Sequence, residues 1–469
     1  MTAAEGRRRR DSSPATAAIV LAAGQGTRMR SRLPKVLHPL AGRAMILHVL
    51  DTLTDAGVER PVVITGHGAD EVEAAIGSLA ATARQDPQLG TADAVRIGLA
   101  HLPTTVRHVI VTMGDTPLLP AALYRSLLRE QAEGATALAL LSAELADPTD
   151  YGRIVRAPDG SVAAIVEERD ADAATRGISE VNAGTYCFDA AWLRAAIGAV
   201  PASPSGEYYL TELVALAVGA GRGVAVVRAP RPELTMGIND RVGLAAAERL
   251  MRLDIAERHL RSGVTIVDPS NTFIDASVEI GQDARIEPWT VLSGTTRIGE
   301  MTVIGPHATI RDSSIGAGST VWASVVEASS VAEEVQIGPY AHLRPGCVIG
   351  PGCRIGNFAE LKRASLGART QQHHFSYLGD AEVGEAVNIG AGSVTANFDG
   401  TAKHRTVIGD GAFIGVDTML RAPVTIGAGA RTGAGAVVTR DVAAGKTVVG
   451  MPARPIDTRR HRTPADDDA

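Results

Sequence analysis

The sequence predicts two folds along one chain, an α/β domain with a mostly parallel sheet followed by a parallel β-helix. Up to about residue 239, short apolar segments alternate with helical segments, which is typical of a doubly wound sheet. After Gly263 an aliphatic residue followed by glycine recurs, mostly at intervals of six residues or multiples of six. That is the period of a parallel β-helix. A chain of 469 residues is also too long for one ordinary core.

The composition limits the classes of protein to consider. With 45% hydrophobic and 21% charged residues, the chain resembles a soluble globular protein. Its net charge of −6 argues against broad nucleic-acid binding, and no apolar segment approaches the roughly 20 residues that cross a membrane. The three cysteines, Cys187, Cys347 and Cys353, lack metal-type pairing. We therefore expect a reduced, cytoplasmic compartment.

The domain boundaries follow from changes in this pattern. A helix is predicted over residues 241–262, because Leu244, Ala247, Met251 and Ile255 form an apolar stripe among charged residues. We predict a disordered basic tail at 1–15, the α/β domain at 16–240, the linker helix at 241–262, the β-helix at 263–455 and a disordered tail at 456–469.

The first strand ends in a glycine turn that could bind phosphate. Residues 18–23, including Leu21 and Ala22, form an apolar segment suited to a buried parallel strand, and Gly24-Gln25-Gly26 interrupts it. Glycines there allow backbone N–H groups to form a nest for phosphate oxygens, although an ordinary turn remains the alternative. No Walker lysine follows, and Met29 replaces the third glycine of the dinucleotide fingerprint.

Asp115 is the residue most suited to binding a metal. It follows the apolar segment 108–113, with Gly114 before it and Pro117 shortly after it. Mg²⁺ prefers one or two protein oxygens together with substrate oxygens, so a carboxylate at the end of a parallel strand could hold it. A turn aspartate is the alternative interpretation.

The residues after the glycine turn carry a resemblance to a known family. Residues 21–29 (LAAGQGTRM), followed by Pro34-Lys35, resemble the signature of sugar-nucleotide pyrophosphorylases, in which the arginine and lysine hold the nucleotide triphosphate. Further motifs recur in order: Gln85, Gln88, 89–92 (LGTA), 150–154 (DYGRI), 165–167 (IVE), 182–184 (NAG), 206–211 (GEYYLT) and 237–241 (GINDR). Together they resemble the uridyltransferase domain of the bifunctional bacterial enzymes that make UDP-N-acetylglucosamine.

This resemblance implies a role for each matching residue. Leu21, Ala22, Gly24, Arg28 and Lys35 would bind the nucleotide and its phosphates. Gln85, Gly90 and Thr91 would contact uracil, whereas Gly152, Glu167 and Asn182 would hold the sugar. Asn239 would contact the nucleotide and join Asp115 on Mg²⁺. A sugar-1-phosphate oxygen would then attack the α-phosphorus of UTP, a reaction that depends on positioning and charge neutralisation.

The repeats of the second half place its strands. Aliphatic-glycine pairs begin at Ile280, Ile298, Ile304, Ile337, Ile349, Ile355, Val383, Ile389, Ile408, Ile414 and Ile426. The hexapeptide pattern resembles left-handed β-helices, and the hand rests on that likeness. The period slips near Ile315, Leu366 and residues 378–383. We expect loops to leave the coil there. Cys347 and Cys353, six residues apart, are expected to stack inside the coil.

Polar motifs in the repeats have no role in building a coil. They are 357–362 (NFAELK), 372–380 (QHHFSYLGD), 388–392 (NIGAG) and 395–400 (TANFDG). They resemble the acetyltransferase site of the same bifunctional family, where a histidine deprotonates glucosamine-1-phosphate as its amine attacks acetyl-CoA. His374 matches that histidine, and a near-neutral pKa suits the task. His373 remains the alternative.

The other site residues come from the same resemblance. Arg344, Lys362, Tyr377 and Asn388 would bind the amino-sugar phosphate. Ala391, Asn397, Phe398, Val416, Ala434 and Arg440 would bind acetyl-CoA. Val416 departs from the family pattern, which usually has serine there, so one hydrogen bond to acetyl-CoA would be missing.

We therefore predict a bifunctional enzyme with Mg²⁺ as cofactor and with UTP and acetyl-CoA as co-substrates. The family resemblance implies a homotrimer with acetyl-CoA between neighbouring subunits. Its partners would otherwise be small molecules, with no nucleic acid and no membrane. One rival is a single-activity nucleotidyltransferase with a non-catalytic β-helix, which His374 with Lys362 and Tyr377 disfavours. The other rival is a non-catalytic scaffold, which Asp115 with Arg28 and Lys35 disfavours.

Overall fold

The computed structural model describes residues 16–204 and 206–456, which form two compact units. The division falls between Met251 and Arg252, inside a long helix. The tails predicted to be disordered, 1–15 and all but the first residue of 456–469, lie outside the described residues. Among the described residues, no helix is both long and apolar enough to cross a bilayer.

The first unit is built on one nine-stranded sheet. Its strands and a small separate ladder are β1 (Thr16–Ala22), β2 (Pro39–Leu40), β3 (Arg43–Ala44), β4 (Val62–Thr65), β5 (Ala81–Arg84), β6 (His108–Met113), β7 (Leu138–Glu144), β8 (Arg153–Arg156), β9 (Val162–Val166), β10 (Glu180–Asp189) and β11 (Val224–Arg228). The sheet order is β11-β7-β10-β6-β1-β4-β5, with β8 and β9 attached to β10. The apolar segments at 61–66, 108–115, 135–143 and 223–229, which belong to the alternation described above, each contain one of these strands.

Antiparallel pairing enters the sheet at β8 and β9 and, within the seven-strand path, at β10. Strand β10 runs antiparallel to both β6 and β7, whereas β1 lies parallel to β4 and to β6. The carboxyl ends of β1 and β6 therefore meet at one edge, as the parallel interpretation requires. Gly114 donates its N–H to the Leu21 carbonyl at 2.9 Å, which places the residues after the two strands side by side.

Helices cover both faces of this sheet. They are α1 (Met45–Asp55), α2 (Ala69–Ile76), α3 (Thr91–Ala100), α4 (Ala121–Glu133), α5 (Ala173–Arg176), α6 (Ala190–Ala196), α7 (Glu212–Gly219) and α8 (Arg241–Arg261). Ile19 packs on one face with residues of α3, α6 and α7, and Val20 packs on the other with residues of α1 and α4. This alternation is expected of a strand buried on both faces.

The predicted linker helix is α8, and its apolar stripe is buried as expected. Ala247 is fully buried, Ile255 is 5% exposed, and Leu244 and Met251 are partly buried. Leu244 and Met251 pack in a cluster with Leu40, Met45 and Ile238 of the first unit. The helix ends at Arg261, just before the Ser262-Gly263 pair, and Gly263 has a positive φ of 94°.

The second unit is a parallel β-helix with three faces. The first face contains Thr265–Ile266, Arg285–Ile286, Val303–Ile304, Thr320–Val321, Gln336–Ile337, Arg354–Ile355, Gln371–Gln372, Asn388–Ile389, Phe413–Ile414, Arg431–Thr432 and Thr447–Val449, with Arg454–Pro455 antiparallel at its end. The second contains Phe273–Ile274, Val291–Ser293, Thr309–Arg311, Val325–Glu327, His342–Leu343, Ala359–Lys362, Ser376–Gly379, Val394–Ala396, Met419–Arg421 and Val437–Val438. The third contains Glu279–Ile280, Arg297–Ile298, Ser314–Ile315, Ser330–Val331, Val348–Ile349, Ser365–Leu366, Ala381–Val383, Thr406–Ile408 and Val424–Ile426.

Aliphatic residues stack inside the coil, as the six-residue period predicted. Ile286, for example, pairs with Ile266 and with Ile304, and all three are buried. The glycines that follow such residues allow the turns to stack closely, since a Cβ on Gly390 would lie 2.6 Å from the Gly415 carbonyl carbon. Cys347 and Cys353 are buried free thiols within the coil, as expected.

The prediction that loops leave the coil at the slips in the period was wrong. Ile315 stays in register between Ile298 and Val331, and Leu366 stays between Ile349 and Val383. A turn of the coil can lose one residue at a corner and still keep its strand pairing. The chain leaves the coil instead after Val394–Ala396 and returns at Thr406–Ile408, so residues 397–405 form a loop.

Candidate active sites

The first unit has a cavity of 460 Å³ beside the carboxyl ends of β1 and β6. Nine of the residues predicted to bind nucleotide, sugar or metal line it: Leu21, Ala22, Gly24, Lys35, Gln85, Gly90, Thr91, Asp115 and Glu167. Its volume is in the range of small-molecule sites. The structure therefore brings most of the predicted first site together around one space.

Lys35 connects the two residues predicted to bind the metal. Its Nζ contacts the Asp115 carboxylate and donates to Asn239 Oδ1 at 3.1 Å. The Lys35 and Asp115 side chains are only 14% and 17% exposed. Two oxygens that approach the same cationic atom are placed to share a cation, and carboxylate and amide oxygens suit Mg²⁺. The residues present therefore fit a magnesium ion.

Arg28 departs from its predicted position. Its Nη1 donates to Asp150 Oδ2 at 3.0 Å, and the side chain is 57% exposed, outside the residues that line the cavity. The glycine turn itself is as expected, because Gly26 has a φ of 61° and a Cβ there would lie 2.7 Å from Lys35 Cβ. Glycine at position 26 thus lets Lys35 pass close to the backbone.

Gln85 has its side-chain amide fixed in one orientation. The Nε2 group donates to the Gly90 carbonyl and to Asp93 Oδ2, each at 2.9 Å. Both neighbours are acceptors, so the amide nitrogen must face them and the Gln85 carbonyl oxygen is left to accept another donor. An imide N–H of a pyrimidine is a donor of that kind.

Gly90 and Thr91 are held by the segment that follows residue 205. Tyr208 donates its N–H to the Leu89 carbonyl at 2.8 Å and accepts from the Ala92 N–H at 2.9 Å. Gly90 has a φ of 108°, and a Cβ there would lie 2.6 Å from the Tyr208 carbonyl oxygen. Only glycine fits this approach.

Glu167 lines the cavity with a carboxyl group that is largely removed from water. Burial raises its pKa above the ordinary carboxyl value, and the hydrogen bond from Thr211 Oγ1 at 3.0 Å partly opposes this shift. Gly152 lies beside it, since a Cβ there would be 3.4 Å from Glu167 Oε2. Asn182 donates its backbone N–H to the Gly152 carbonyl at 2.8 Å, but its side chain bonds the Tyr186 hydroxyl and does not line the cavity.

Arg169 and Tyr209 are two of the cavity residues to which the sequence analysis assigned no role. Arg169 lies over the Tyr209 ring at 5.3 Å, and both residues line the cavity. Tyr209 stands inside the quoted 206–211 motif, which was the available signal, whereas Arg169 lies two residues beyond the 165–167 motif.

In the second unit, four predicted residues form a line along one corner of the coil. His374, Ala391, Val416 and Ala434 occupy equivalent positions in successive turns, two residues after the strand of the first face. Backbone hydrogen bonds keep these turns in register, from Asp417 N to the Ala391 carbonyl at 2.7 Å and from Gly435 N to the Val416 carbonyl at 2.8 Å.

This line opens a groove beyond His374. A cavity of 660 Å³ is lined by His373, His374, Ala391, Val416 and Ala434, together with Asn388. Phe413 and Arg431, which the sequence analysis missed, also line it.

His374 and His373 differ in their surroundings. His373 Nε2 lies 3.0 Å from Gln371 Oε1, and burial lowers the pKa of His373 with a further contribution from His374. The exposed His374 imidazole has no hydrogen-bond partner among the described residues and is open to the groove. Both rings line the groove, and His374 is the one whose two ring nitrogens have no hydrogen-bond partner among the described residues.

Arg344, Lys362 and Tyr377 lie around the corner, on the second face. Lys362 and Tyr377 lie on neighbouring strands of this face and alternate with the buried Leu361 and Leu378, so both side chains point away from the core. The pKa of Lys362 is lowered, because its amine contacts that of Lys403 and because Arg344 adds further positive charge. The positive charges of Lys362, Lys403 and Arg344 are a suitable environment for a phosphate. Lys403, in the 397–405 loop, is a further residue that the sequence analysis missed.

Three predicted coenzyme residues do not reach the groove in a single chain. Asn397 is buried and donates to Asp380 Oδ2 at 2.5 Å, and Phe398 is 59% exposed elsewhere on the loop. Arg440 is exposed after Val437–Val438, at the end of the second face. Asn388, predicted to bind the sugar, lies instead in the groove with Ala391 and Val416.

Comparison with known proteins relates each unit to a family and the whole chain to full-length relatives. Residues 18–178 match the MobA-like NTP transferase domain, and residues 328–363 and 405–440 match the bacterial transferase hexapeptide (six repeats). The bifunctional protein GlmU of Geobacillus thermodenitrificans is 46% identical over 434 residues, covering 92% of this chain and 95% of that protein. The bifunctional proteins GlmU of Heliobacterium modesticaldum and Brevibacillus brevis are 46% and 45% identical, covering 92% and 91% of this chain and 94% and 92% of theirs. The hexapeptide match confirms that the coil is a left-handed β-helix.

Proposed function

The chain belongs to the family of bifunctional GlmU proteins, and we propose how its two cavities divide the two reactions of that family. It is an enzyme of UDP-N-acetylglucosamine synthesis, which contributes to the cell wall. It acetylates glucosamine-1-phosphate with acetyl-CoA and then transfers the uridylyl group of UTP to the product with release of pyrophosphate. We assign uridyl transfer to the cavity of the first unit and acetyl transfer to the groove of the second.

The contact of Lys35 with both Asp115 and Asn239 carries the first assignment. Asp115 and Asn239 would hold Mg²⁺, which when bound neutralises phosphate charge. Lys35 would then move its ammonium to the phosphates of UTP, and Gln85 would accept the imide N–H of uracil. Glu167 would accept sugar hydroxyl groups. The sugar phosphate attacks the α-phosphorus in line, so the protein contributes position and charge rather than a covalent intermediate.

The position of His374 at the corner of the coil carries the second assignment. The groove with Ala391, Val416 and Ala434 would hold acetyl-CoA on one side of the corner. The cations of the second face, including Lys362, would bind the sugar phosphate on the other side. His374 would then take the proton from the amine as the amine nitrogen forms a bond to the thioester carbonyl carbon. The carbon–sulfur bond breaks, and the proton held by His374 passes to the departing sulfur, so CoA leaves as the thiol.

We further propose that the protein is a cytoplasmic homotrimer whose acetyl-transfer sites lie between subunits. Trp289, Tyr340, Phe358 and Phe375 are each more than half exposed along the same corner as His374. Exposed aromatic side chains in such a line are typical of interfaces. Arg440 and Phe398 lie away from the groove of their own chain, so a neighbouring copy would have to supply them.

Subunit mixing tests the shared site. A trimer should be found by light scattering at assay concentration, and mixing subunits carrying His374→Ala with subunits carrying Arg440→Ala should restore part of the lost acetyl transfer. An active monomer, or two inactive variants that never complement each other, would contradict the proposal.

A coupled assay tests the division of the two activities. Glucosamine-1-phosphate, acetyl-CoA, UTP and Mg²⁺ should yield UDP-N-acetylglucosamine, and removal of Mg²⁺ should stop the second step alone. Accumulation of N-acetylglucosamine-1-phosphate without Mg²⁺ is the expected sign. If the β-helix were non-catalytic, no thiol would be released from acetyl-CoA, but the groove at His374 and the family disfavour that alternative.

A further inference from the structure

An unpaired arginine lies at the far end of the acetyl-transfer groove. Asn388, Phe413, Arg431 and Thr447 project from successive strands of the first face. Arg431 Cζ lies 4.6 Å from the centre of the Phe413 ring, and no carboxylate among the described residues is within ion-pair distance of it. Several arginines of the coil pair with acids, namely Arg285 with Glu287, Arg297 with Glu279, Arg363 with Asp380, Arg369 with Glu385 and Arg405 with Glu382. Arg311, Arg354 and Arg421 share with Arg431 the lack of an ion pair among the described residues, but they do not line the groove.

The position of Arg431 relative to His374 is fixed by the coil. Ala434 belongs to the same turn as Arg431 and lies three turns from His374 along the corner. Strands in a sheet are about 4.8 Å apart, so three turns place Ala434 about 14 Å from His374, and the three residues back to Arg431 add about 10 Å across that direction, roughly 17 Å in all. The pantetheine arm of a CoA thioester has about 13 bonds between sulfur and the nearest phosphorus, which span roughly 16 Å when extended. The two lengths are similar.

We propose that Arg431, held against Phe413, binds a phosphate of the nucleotide end of acetyl-CoA. This inference rests on the proposed function, in which the groove holds acetyl-CoA with its thioester at His374. The guanidinium group offers paired N–H donors that match phosphate oxygens. Contact with the Phe413 ring restricts the side chain without neutralising its charge. Arg431 is thereby a specificity residue that favours full CoA thioesters over short acyl thioesters.

The test compares substrates that differ in their phosphates. Arg431→Met should raise KM for acetyl-CoA by about 10- to 100-fold, the effect of losing a charged hydrogen bond, while kcat changes little. The same variant should keep the kcat/KM of the wild type for acetylpantetheine, which has no phosphate. Acetyl-dephospho-CoA lacks the 3′-phosphate and shows which phosphate Arg431 contacts. If Arg431→Met still raises KM for this substrate, Arg431 binds the diphosphate. If it no longer raises KM, Arg431 binds the 3′-phosphate, and either result supports the proposal.

Arg285→Met is the matched control. Arg285 projects from the same face at an equivalent position, but five strands from Gln371 on the side away from the groove, and it is paired with Glu287. Arg285→Met should leave KM and kcat unchanged for both acetyl-CoA and acetylpantetheine. Arg431→Lys keeps the positive charge but loses the paired N–H donors, so its KM for acetyl-CoA should lie between those of Arg431→Met and the wild type. If circular dichroism shows that Arg431→Met folds poorly, Arg431→Lys replaces it in the test.

Two results would overturn the inference. One is an unchanged KM for acetyl-CoA in folded Arg431→Met. The other is a loss of kcat/KM in Arg431→Met that is equally large with acetyl-CoA and with acetylpantetheine. Failure of the wild-type protein to acetylate glucosamine-1-phosphate from acetyl-CoA would refute the proposed function itself. The wild-type measurement therefore separates the two failures.

Discussion

Lys35 Nζ lies 3.1 Å from Asn239 Oδ1, although 204 residues separate them in the chain. The same ammonium contacts Asp115, so one cation holds two oxygen ligands that belong to different loops. Under the proposed assignment, bringing these groups together would arrange the site for phosphate and metal before substrate arrives. That arrangement reduces the reorganisation needed when the triphosphate binds.

Replacement of Asp115 should separate the two activities. We expect Asp115→Ala to lower uridyl transfer by about a thousandfold, since it removes a metal ligand worth several kcal/mol of charge stabilisation. Acetyl transfer should be unchanged, because it needs no metal between phosphates. Pyrophosphate and thiol release measure the two reactions, and Asp70→Ala, at an exposed ion pair with Arg84, is the control. Loss of both activities in a folded variant would contradict the assignment.

Glu167 should make the first unit less stable as the pH rises. Burial raises the pKa of Glu167 in the folded chain above the ordinary value of 4.5 that applies to the unfolded chain. At a pH between these two pKa values, the Glu167 carboxyl is ionised in the unfolded chain and protonated in the folded chain. The stability cost begins as the pH passes that ordinary value and is complete above the folded pKa. Glu167→Gln should therefore gain stability over the wild type as the pH rises.

Urea unfolding of both proteins between about pH 4 and pH 8 measures this difference. The exposed Glu133 provides the control, since Glu133→Gln should differ from the wild type by a constant amount. A difference for Glu167→Gln that shrinks as the pH rises would refute the argument.

His374 and His373 should respond differently to substitution. His374→Ala should reduce acetyl transfer by about 10²- to 10⁴-fold, the usual contribution of a general base, and leave uridyl transfer intact. His373→Ala should reduce acetyl transfer much less, because the Nε2 atom of His373 is hydrogen-bonded to Gln371. Thiol release from acetyl-CoA measures both variants. The opposite ranking would assign the base to His373.

Val416 offers a change that should improve the enzyme. It is 47% exposed in the groove between Ala391 and Ala434 and has no polar atom in its side chain. Val416→Ser should lower KM for acetyl-CoA by about 2- to 10-fold, the contribution of one hydrogen bond. Val407→Ser on the third face should have no effect, and an unchanged KM for Val416→Ser would show that no acceptor or donor of the coenzyme lies there.

The two activities should also separate physically. A shortened protein that ends at Arg261 keeps the whole of α8 and the cluster of Leu244 and Met251 with Leu40. We expect it to fold, to make UDP-N-acetylglucosamine from N-acetylglucosamine-1-phosphate and to lack acetyl transfer. A folded but inactive product would show that the first cavity needs the β-helix.

Local patterns were enough to predict much of this protein. The six-residue period identified the coil and its buried aliphatic residues, and apolar segments ending in Gly24 and Asp115 identified the edge where the first cavity lies. These features follow from which side chains face the core, and that alternation repeats along the chain itself. The family resemblance supplied the residues whose roles no periodicity could indicate.

The tertiary structure decided the features that depend on how distant segments meet. The Lys35 contacts, the pairing of Arg28 with Asp150 and the antiparallel β10 depend on the order of strands in the sheet. Likewise, a coil absorbs a missing residue at a corner, so the slips at Ile315 and Leu366 left no loop while residues 397–405 did. Arg431 reached the groove of His374 because three turns of strand pairing placed it there, and the spacing of residues along the chain does not record that pairing.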